Sequence, residues 1–173
     1  HPIRVDGVDR QVVDLRFAFA ATPDGFYAAE STGGTIWYGS AAGEWEALGE
    51  AEINDLAVDP INPDRVIGAD VEGRLWITDD GARTWARIDT DIGPIEIEWP
   101  VASALHGIDG AGRIWSTDDP AGTWETAGNG PDAEPETFWI DDAGMWWLGT
   151  HGGDIWRSDN TGTSWTQIYQ SLP

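Results

Sequence analysis

The chain has 173 residues, enough for one domain with a buried core of its own. Its 31 acidic residues outnumber nine basic ones, giving a formal charge of −22 that excludes nucleic-acid backbone and anionic membrane surfaces as partners. The absence of cysteine excludes disulfides, thiolate metal sites and a cysteine nucleophile. No apolar run is long enough for membrane insertion.

Residues 1–11 are interpreted as a lead-in segment and residues 12–173 as one domain. Within this domain tryptophan recurs at two positions, each with a period of about 40 residues. The first set, in which Ile or Leu precedes every tryptophan, is Trp37, Trp76, Trp115 and Trp156. The second set is Trp45, Trp85, Trp124 and Trp165. A period near 40 residues indicates a repeat architecture.

Each unit contains four short β-prone runs separated by turn-forming residues. In the second unit these runs are 55–58, 65–69, 74–77 and 84–88. Four strands in each unit predict an all-β fold, a β-propeller of four-stranded antiparallel blades. The predicted blades cover approximately residues 12–50, 51–90, 91–129 and 130–173.

The turns that precede three tryptophans of the second set share one pattern. Segments 78–85, 117–124 and 158–165 resemble the Asp-box, or BNR repeat, S-x-D-x-G-x-T-W. Segment 40–45 is a degenerate copy, one residue shorter and without aspartate. The chain thus resembles the sialidase and sortilin-like superfamily of propellers, with four Asp-box-type repeats.

The three complete boxes depart from the family pattern at several positions. Ala82 and Ala121 stand where the family has glycine, and Asn160 replaces the acid. The third box position has a short side chain that accepts N–H bonds within its own turn, and the closing tryptophan packs between sheets. We therefore expect structural roles for Thr78, Asp80, Trp85, Thr117, Asp119, Trp124, Ser158, Asn160 and Trp165.

Residues on the innermost strand of a propeller blade line the central channel, where a ligand has access to them. The candidate binding residues on this basis are Asp14, Arg16, Asp55, Glu96, Glu98, Trp99 and Trp139. Trp99 and Trp139 lie outside the repeat pattern, as do Trp146 and Trp147. Such extra aromatic residues either stack on a sugar or partner, or fill the core between unequal blades.

Asp-box propellers include sialidases, xyloglucan-cleaving glycosidases, sortilin-type receptors and photosystem assembly factors, so the fold does not select a function. A sialidase-like site needs an arginine cluster, a tyrosine nucleophile and a glutamate. The three tyrosines and the scattered arginines reproduce no such set. We therefore expect a non-catalytic binding module for a protein or glycan, with no catalytic residue, cofactor or metal.

Two other functions stay open. One is a secreted glycoside hydrolase of sialidase or xyloglucanase type, and the other is a structural or engineered repeat unit of a larger ring. An extracellular or cell-surface location is favoured by the family resemblance alone.

Strong acidity with arginine as the sole base is typical of salt-adapted proteins, in which high salt screens self-repulsion. This interpretation predicts that thermal stability rises with salt concentration. Binding to a basic partner is the rival explanation of the acidity.

Four blades are at the low end of the range of closed propellers. The sequence therefore leaves three arrangements open: a closed four-bladed ring, a homodimer that closes an eight-bladed ring, and a piece of a longer propeller.

Overall fold

The structure, a computed structural model, describes residues 17–30, 34–100 and 104–171. The proposed lead-in at residues 1–11 lies outside the described residues. Within the described ranges the chain forms strands and turns, with no helix of the length and apolarity needed to cross a membrane.

In the described ranges, sixteen strands form four antiparallel sheets of four strands each, and every sheet is made of strands consecutive in the chain. The first two blades are β1 (Phe17–Thr22), β2 (Gly25–Glu30), β3 (Thr35–Ser40), β4 (Trp45–Glu50), β5 (Asp55–Val58), β6 (Val66–Ala69), β7 (Leu75–Thr78) and β8 (Ala86–Ile88). The last two are β9 (Pro94–Glu98), β10 (Leu105–Asp109), β11 (Arg113–Thr117), β12 (Glu125–Asn129), β13 (Pro135–Ile140), β14 (Trp146–Thr150), β15 (Ile155–Ser158) and β16 (Thr166–Tyr169).

The four sheets are the blades of a β-propeller, which confirms the predicted fold class. The first strand of each blade is innermost, and β1, β5, β9 and β13 pack on one another in that order. Strand β16 pairs within its own blade, so the fourth sheet is complete without a strand from another part of the chain.

The described residues form three apolar cores, one between each pair of successive blades. We call the side of a blade that is turned toward the next blade its forward face, and the opposite side its back face. In the first core, Ile36 on the forward face of blade one meets Leu56 and Val66 on the back face of blade two. Because side chains alternate along a strand, Ile36 and Trp37 lie on opposite faces. The repeated Ile/Leu–Trp pairs therefore place an aliphatic residue on the forward face and a tryptophan on the back face of every blade.

The turns that resemble Asp-boxes are closed by side-chain hydrogen bonds. In the second blade Asp80 Oδ1 accepts the backbone N–H groups of Arg83 and Thr84 at 3.0 and 2.9 Å, and the hydroxyl groups of Thr78 and Thr84 also donate to this carboxylate. The bonds from Thr84 contribute most to holding the Asp80 pKa well below its ordinary value. Asn160 accepts the Ser164 N–H in the same way at 2.9 Å.

The third-blade turn is built differently because proline follows its aspartate. Pro120 has no N–H group and its φ is restricted, so the turn lacks the left-handed residues of the other two. Two of these left-handed residues are not glycine: Ala82, with a φ of 64°, and Thr161, with a φ of 53°. The Asp119 side chain accepts the N–H of Ala121 at 3.1 Å. The shared sequence pattern therefore covers two turn geometries.

Candidate functional site

Two carboxylates occupy equivalent positions on neighbouring innermost strands. Asp55 is paired with Ala69 across β5 and β6, and Glu96 is paired with Ile108 across β9 and β10. The backbone N–H of Ile97 donates to Asp55 Oδ2 at 2.6 Å. This bond connects the innermost strand of blade two to that of blade three, so Asp55 is held at the junction of the two strands.

Further acids complete a cluster along the inner surface. Glu98 lies two residues after Glu96 and therefore on the same face of β9. Burial, followed by the negative charge of Asp55, raises the pKa of Glu98 to about 8. Burial also raises the pKa of Glu96, and repulsion from Asp55, Glu98 and Glu136 adds to this effect. We call Asp55, Glu96, Glu98 and Glu136 the inner-strand acidic cluster.

Among the residues that the structure describes, few basic groups lie near this cluster. Among the described residues, the ion pairs join arginines to other carboxylates, and only Glu136 of the cluster has a basic neighbour, His151 Nδ1 at 3.8 Å. Burial raises the pKa of Asp55 too, against the lowering effect of the two backbone N–H groups that it accepts. The cluster is thus a region where negative charge is crowded and uncompensated in the described part of the chain.

The candidate residues taken from the sequence fall into three groups. Asp14 and Arg16 lie outside the described residues. Asp55, Glu96 and Glu98 are brought together in the cluster. Trp99 and Trp139 are separate from it: Trp99 packs against the core between blades two and three, while Trp139 is half exposed and stacks on Trp147 with ring centroids 6.3 Å apart.

The other tryptophans outside the repeat pattern have structural contacts. Trp146 is buried in the core between blades three and four, where it packs edge-on against Phe138. Trp147 donates its indole N–H to Asp141 Oδ2 at 3.1 Å. Trp146 therefore fills the core, and the indole nitrogen of Trp147 serves a turn contact.

Sequence reasoning missed a second recurring turn that uses a carboxylate. Its members are the segments 70–76, 109–115 and 141–147, which we call the Asp–Trp turns. In each, an aspartate stands three residues before glycine and six before tryptophan. This spacing was available in the sequence, but three aspartates among 31 acidic residues do not stand out without the contacts.

The Asp–Trp turns repeat the same hydrogen bonds. Asp70 Oδ1 accepts the N–H groups of Glu72 and Arg74 at 2.9 Å each, and Asp70 Oδ2 accepts the Trp76 indole N–H at 3.2 Å. Asp109 and Asp141 accept equivalent bonds in their own turns. Burial opposes ionisation of Asp70, but these bonds and that of the Arg74 side chain hold its pKa below the ordinary value.

The fragments that resemble calcium loops, 109–112 and 141–144, belong to these hairpin turns. Their leading carboxylates are occupied by backbone and indole N–H groups. In the described ranges no group of three or more histidine and acidic side chains has a geometry that could hold a metal ion.

Comparison with known proteins provides structural neighbours only. No protein-family model matches the chain, and no curated protein matches it in sequence. YCF48 bound to a D1 peptide matches with a TM-score of 0.68 at 14% identity, over 88% of this chain and 54% of that one. Nidogen from a nidogen/laminin complex matches with a TM-score of 0.70 at 14% identity, over 89% of this chain and 64% of that one.

An ancestral GH74 enzyme matches with a TM-score of 0.64 at 18% identity, over 88% of this chain and 24% of that one. The likeness shows the propeller fold alone. This chain spans between half and two thirds of the length of the first two neighbours.

Proposed function

We propose that the chain is a non-catalytic binding module that holds a basic protein segment against the inner-strand acidic cluster. The observation that carries this proposal is the crowding of Asp55, Glu96 and Glu98 on two adjacent innermost strands, with no arginine or histidine paired to them among the described residues. Burial is the main cause of their raised pKa values, and for Glu96 and Glu98 repulsion from neighbouring carboxylates adds to it.

A guanidinium or ammonium group placed among these carboxylates would relieve their repulsion and make charge-assisted hydrogen bonds. The formal charge of −22 would also draw a cationic segment toward the protein over distances longer than a single contact. Two structural neighbours are described with a peptide and with laminin, which agrees with the use of this fold for protein binding. The turn pattern supports placing the chain among Asp-box propellers, with residues 12–173 as the propeller domain.

Binding of a fluorescently labelled nona-arginine peptide, followed by anisotropy in 150 mM salt, tests the proposal. Because a cation prefers ionised carboxylates, affinity should rise from pH 6 through the Glu98 pKa of about 8 and the Glu96 pKa of about 9. Glu98→Gln should weaken binding about tenfold, since one charge-assisted bond to a partly buried group contributes about 1.5 kcal/mol or more.

Glu125→Gln is the matched control, because it removes the same charge from an exposed position on the outermost strand β12. We expect its affinity for nona-arginine to stay within about twofold of the parent chain. Equal losses for Glu98→Gln and Glu125→Gln would mean that the peptide senses net charge only, and the proposed site would be wrong.

A glycoside hydrolase is the second candidate function, favoured by one observation. Burial raises the pKa of Asp55 to about 6 and that of Glu98 to about 8, so an ionised and a protonated carboxyl can coexist there near pH 7. Such a pair suits a general acid and its partner. Turnover of chromogenic sialosides or xyloglucan oligosaccharides in molar salt, abolished by Glu98→Gln, would favour this function over the binding module.

A further inference from the structure

The forward face of each blade carries one repeated aliphatic residue, and its burial differs between blades. Ile36, Leu75 and Ile114 precede the first tryptophan of their units and are fully buried beneath the following blade. Ile155 holds the same position in blade four and is 40% exposed. The residue type suits a covered site in all four blades, yet the described part of the chain covers only three.

The back face shows the same contrast at the opposite end of the propeller. Trp85, Trp124 and Trp165 pack against cores shared with the preceding blade, and Trp165 also donates its indole N–H to the carbonyl of Asn129 in blade three. Trp45 is the corresponding residue of blade one and is 55% exposed. Its ring meets Phe26 of its own sheet edge-on at 5.0 Å.

Further residues extend the two surfaces that the end blades leave exposed, the forward side of blade four and the back side of blade one. The blade-four forward surface consists of Thr137, Trp139, Trp147, Gly149 and Ile155, which line one shallow hollow together with Leu148. Trp139 is 52% exposed there. The blade-one back surface includes Ala28, Glu30, Trp37 and Trp45, which line a second hollow.

These two surfaces correspond to the two halves of the joint that the chain makes three times internally. Each internal joint places the forward aliphatic residue of one blade under the back-face tryptophans of the next. Their charges also differ in sign: Arg157 lies on the same face of β15 as Ile155, whereas Glu30 borders the blade-one surface. The end surfaces therefore fit each other better than either fits itself.

We infer that the blade-four forward surface binds the blade-one back surface of a second copy of this chain. Two copies related by a twofold axis then make this contact twice and form a closed ring of eight blades, a number found in propellers. This association is independent of the proposed binding function, because it uses the faces of the end blades and not the inner-strand acidic cluster.

Sedimentation equilibrium of the whole chain in molar salt tests the inference. The expected mass is twice the 18.8 kDa of one chain. Trp45→Glu and Ile155→Glu should each give the single-chain mass, with association weakened about 100-fold or more because a charge replaces apolar area at both joints. Ile61→Glu, at an 89% exposed turn position, is the matched control and should leave the mass at two chains.

A mixture of the two variants separates head-to-tail pairing from other modes. The Trp45→Glu chain retains a normal forward surface and the Ile155→Glu chain a normal back surface, so one joint of the pair remains intact. The mixture should recover two-chain species that neither variant forms alone. A single-chain mass for the parent protein, a ladder of larger masses, or loss of pairing in only one variant would overturn the inference. Glu98→Gln should weaken binding of the nona-arginine peptide without changing the mass, so the two proposals fail separately.

Discussion

Replacing Asp70 by alanine is expected to lower the free energy of unfolding by about 3 kcal/mol. The Asp70 carboxylate is buried and accepts four hydrogen bonds, from the backbone of Glu72 and Arg74 and from the side chains of Arg74 and Trp76. Removing it leaves these donors to find water or remain unpaired, which costs ~1–3 kcal/mol for each group that stays buried. Urea unfolding followed by tryptophan fluorescence measures the loss.

Glu72→Ala provides the control for this change. Glu72 contacts the same guanidinium, with its Oε2 at 2.8 Å from Arg74 Nη1, but its side chain is 65% exposed. A surface ion pair of this kind contributes below ~1 kcal/mol. If the two variants lost equal stability, the Asp–Trp turn would matter only through the charge near Arg74, and the role assigned to its hydrogen bonds would be wrong.

The free energy of unfolding is expected to fall by ~2–3 kcal/mol as pH rises from about 6.5 to about 9. The pKa of Glu98 is about 8 in the folded chain, above its ordinary value of 4.5. Between these values the folded chain binds more protons than the unfolded chain, so stability decreases with rising pH. One pKa unit corresponds to about 1.4 kcal/mol, and access of water to the inner surface reduces the total.

Glu98→Gln should reduce this pH dependence, leaving the part due to Glu96, whose pKa burial also raises, and should make the protein more stable than the parent at pH 9, whereas Glu125→Gln should keep the parent slope. Thermal unfolding at fixed salt, recorded in steps of half a pH unit, gives the comparison. Measurements below pH 6.5 do not isolate the contribution of Glu98. Burial lowers the pKa of His106, and titration of this histidine changes stability in the opposite direction. Stability that stays level or rises between pH 6.5 and pH 9 would contradict the burial of Glu98.

The blade architecture was predictable because the residues that build it recur in register. Ile36 and Trp37 and their counterparts mark the third strand of each unit, and the four strands of blade two begin and end within two residues of the predicted runs. Placing the first run of each unit innermost also selected Asp55, Glu96 and Glu98 as candidate binding residues, although their proximity to one another was not predicted. Periodicity is informative here because every unit must bury the same two faces.

The separation of Trp139 from the acids was not predictable from alternation alone. Strand β13 has a register shift between Pro135 and Thr137. As a result Thr137 pairs with Gly149, and Trp139 lies on the forward face with Trp147, while Phe138 enters the core against blade three. A shift of one residue reverses the faces of a strand, and no residue pattern near 135–137 announces it.

The hydrogen bond from the Ile97 N–H to Asp55 has a mechanical consequence. It joins two sheets that otherwise meet through apolar side chains, whose contact energy depends little on orientation. A directional hydrogen bond resists sliding of one blade past the next. The angle between blades two and three is therefore set more tightly at the axis, where this bond lies, than toward the outer strands β8 and β12.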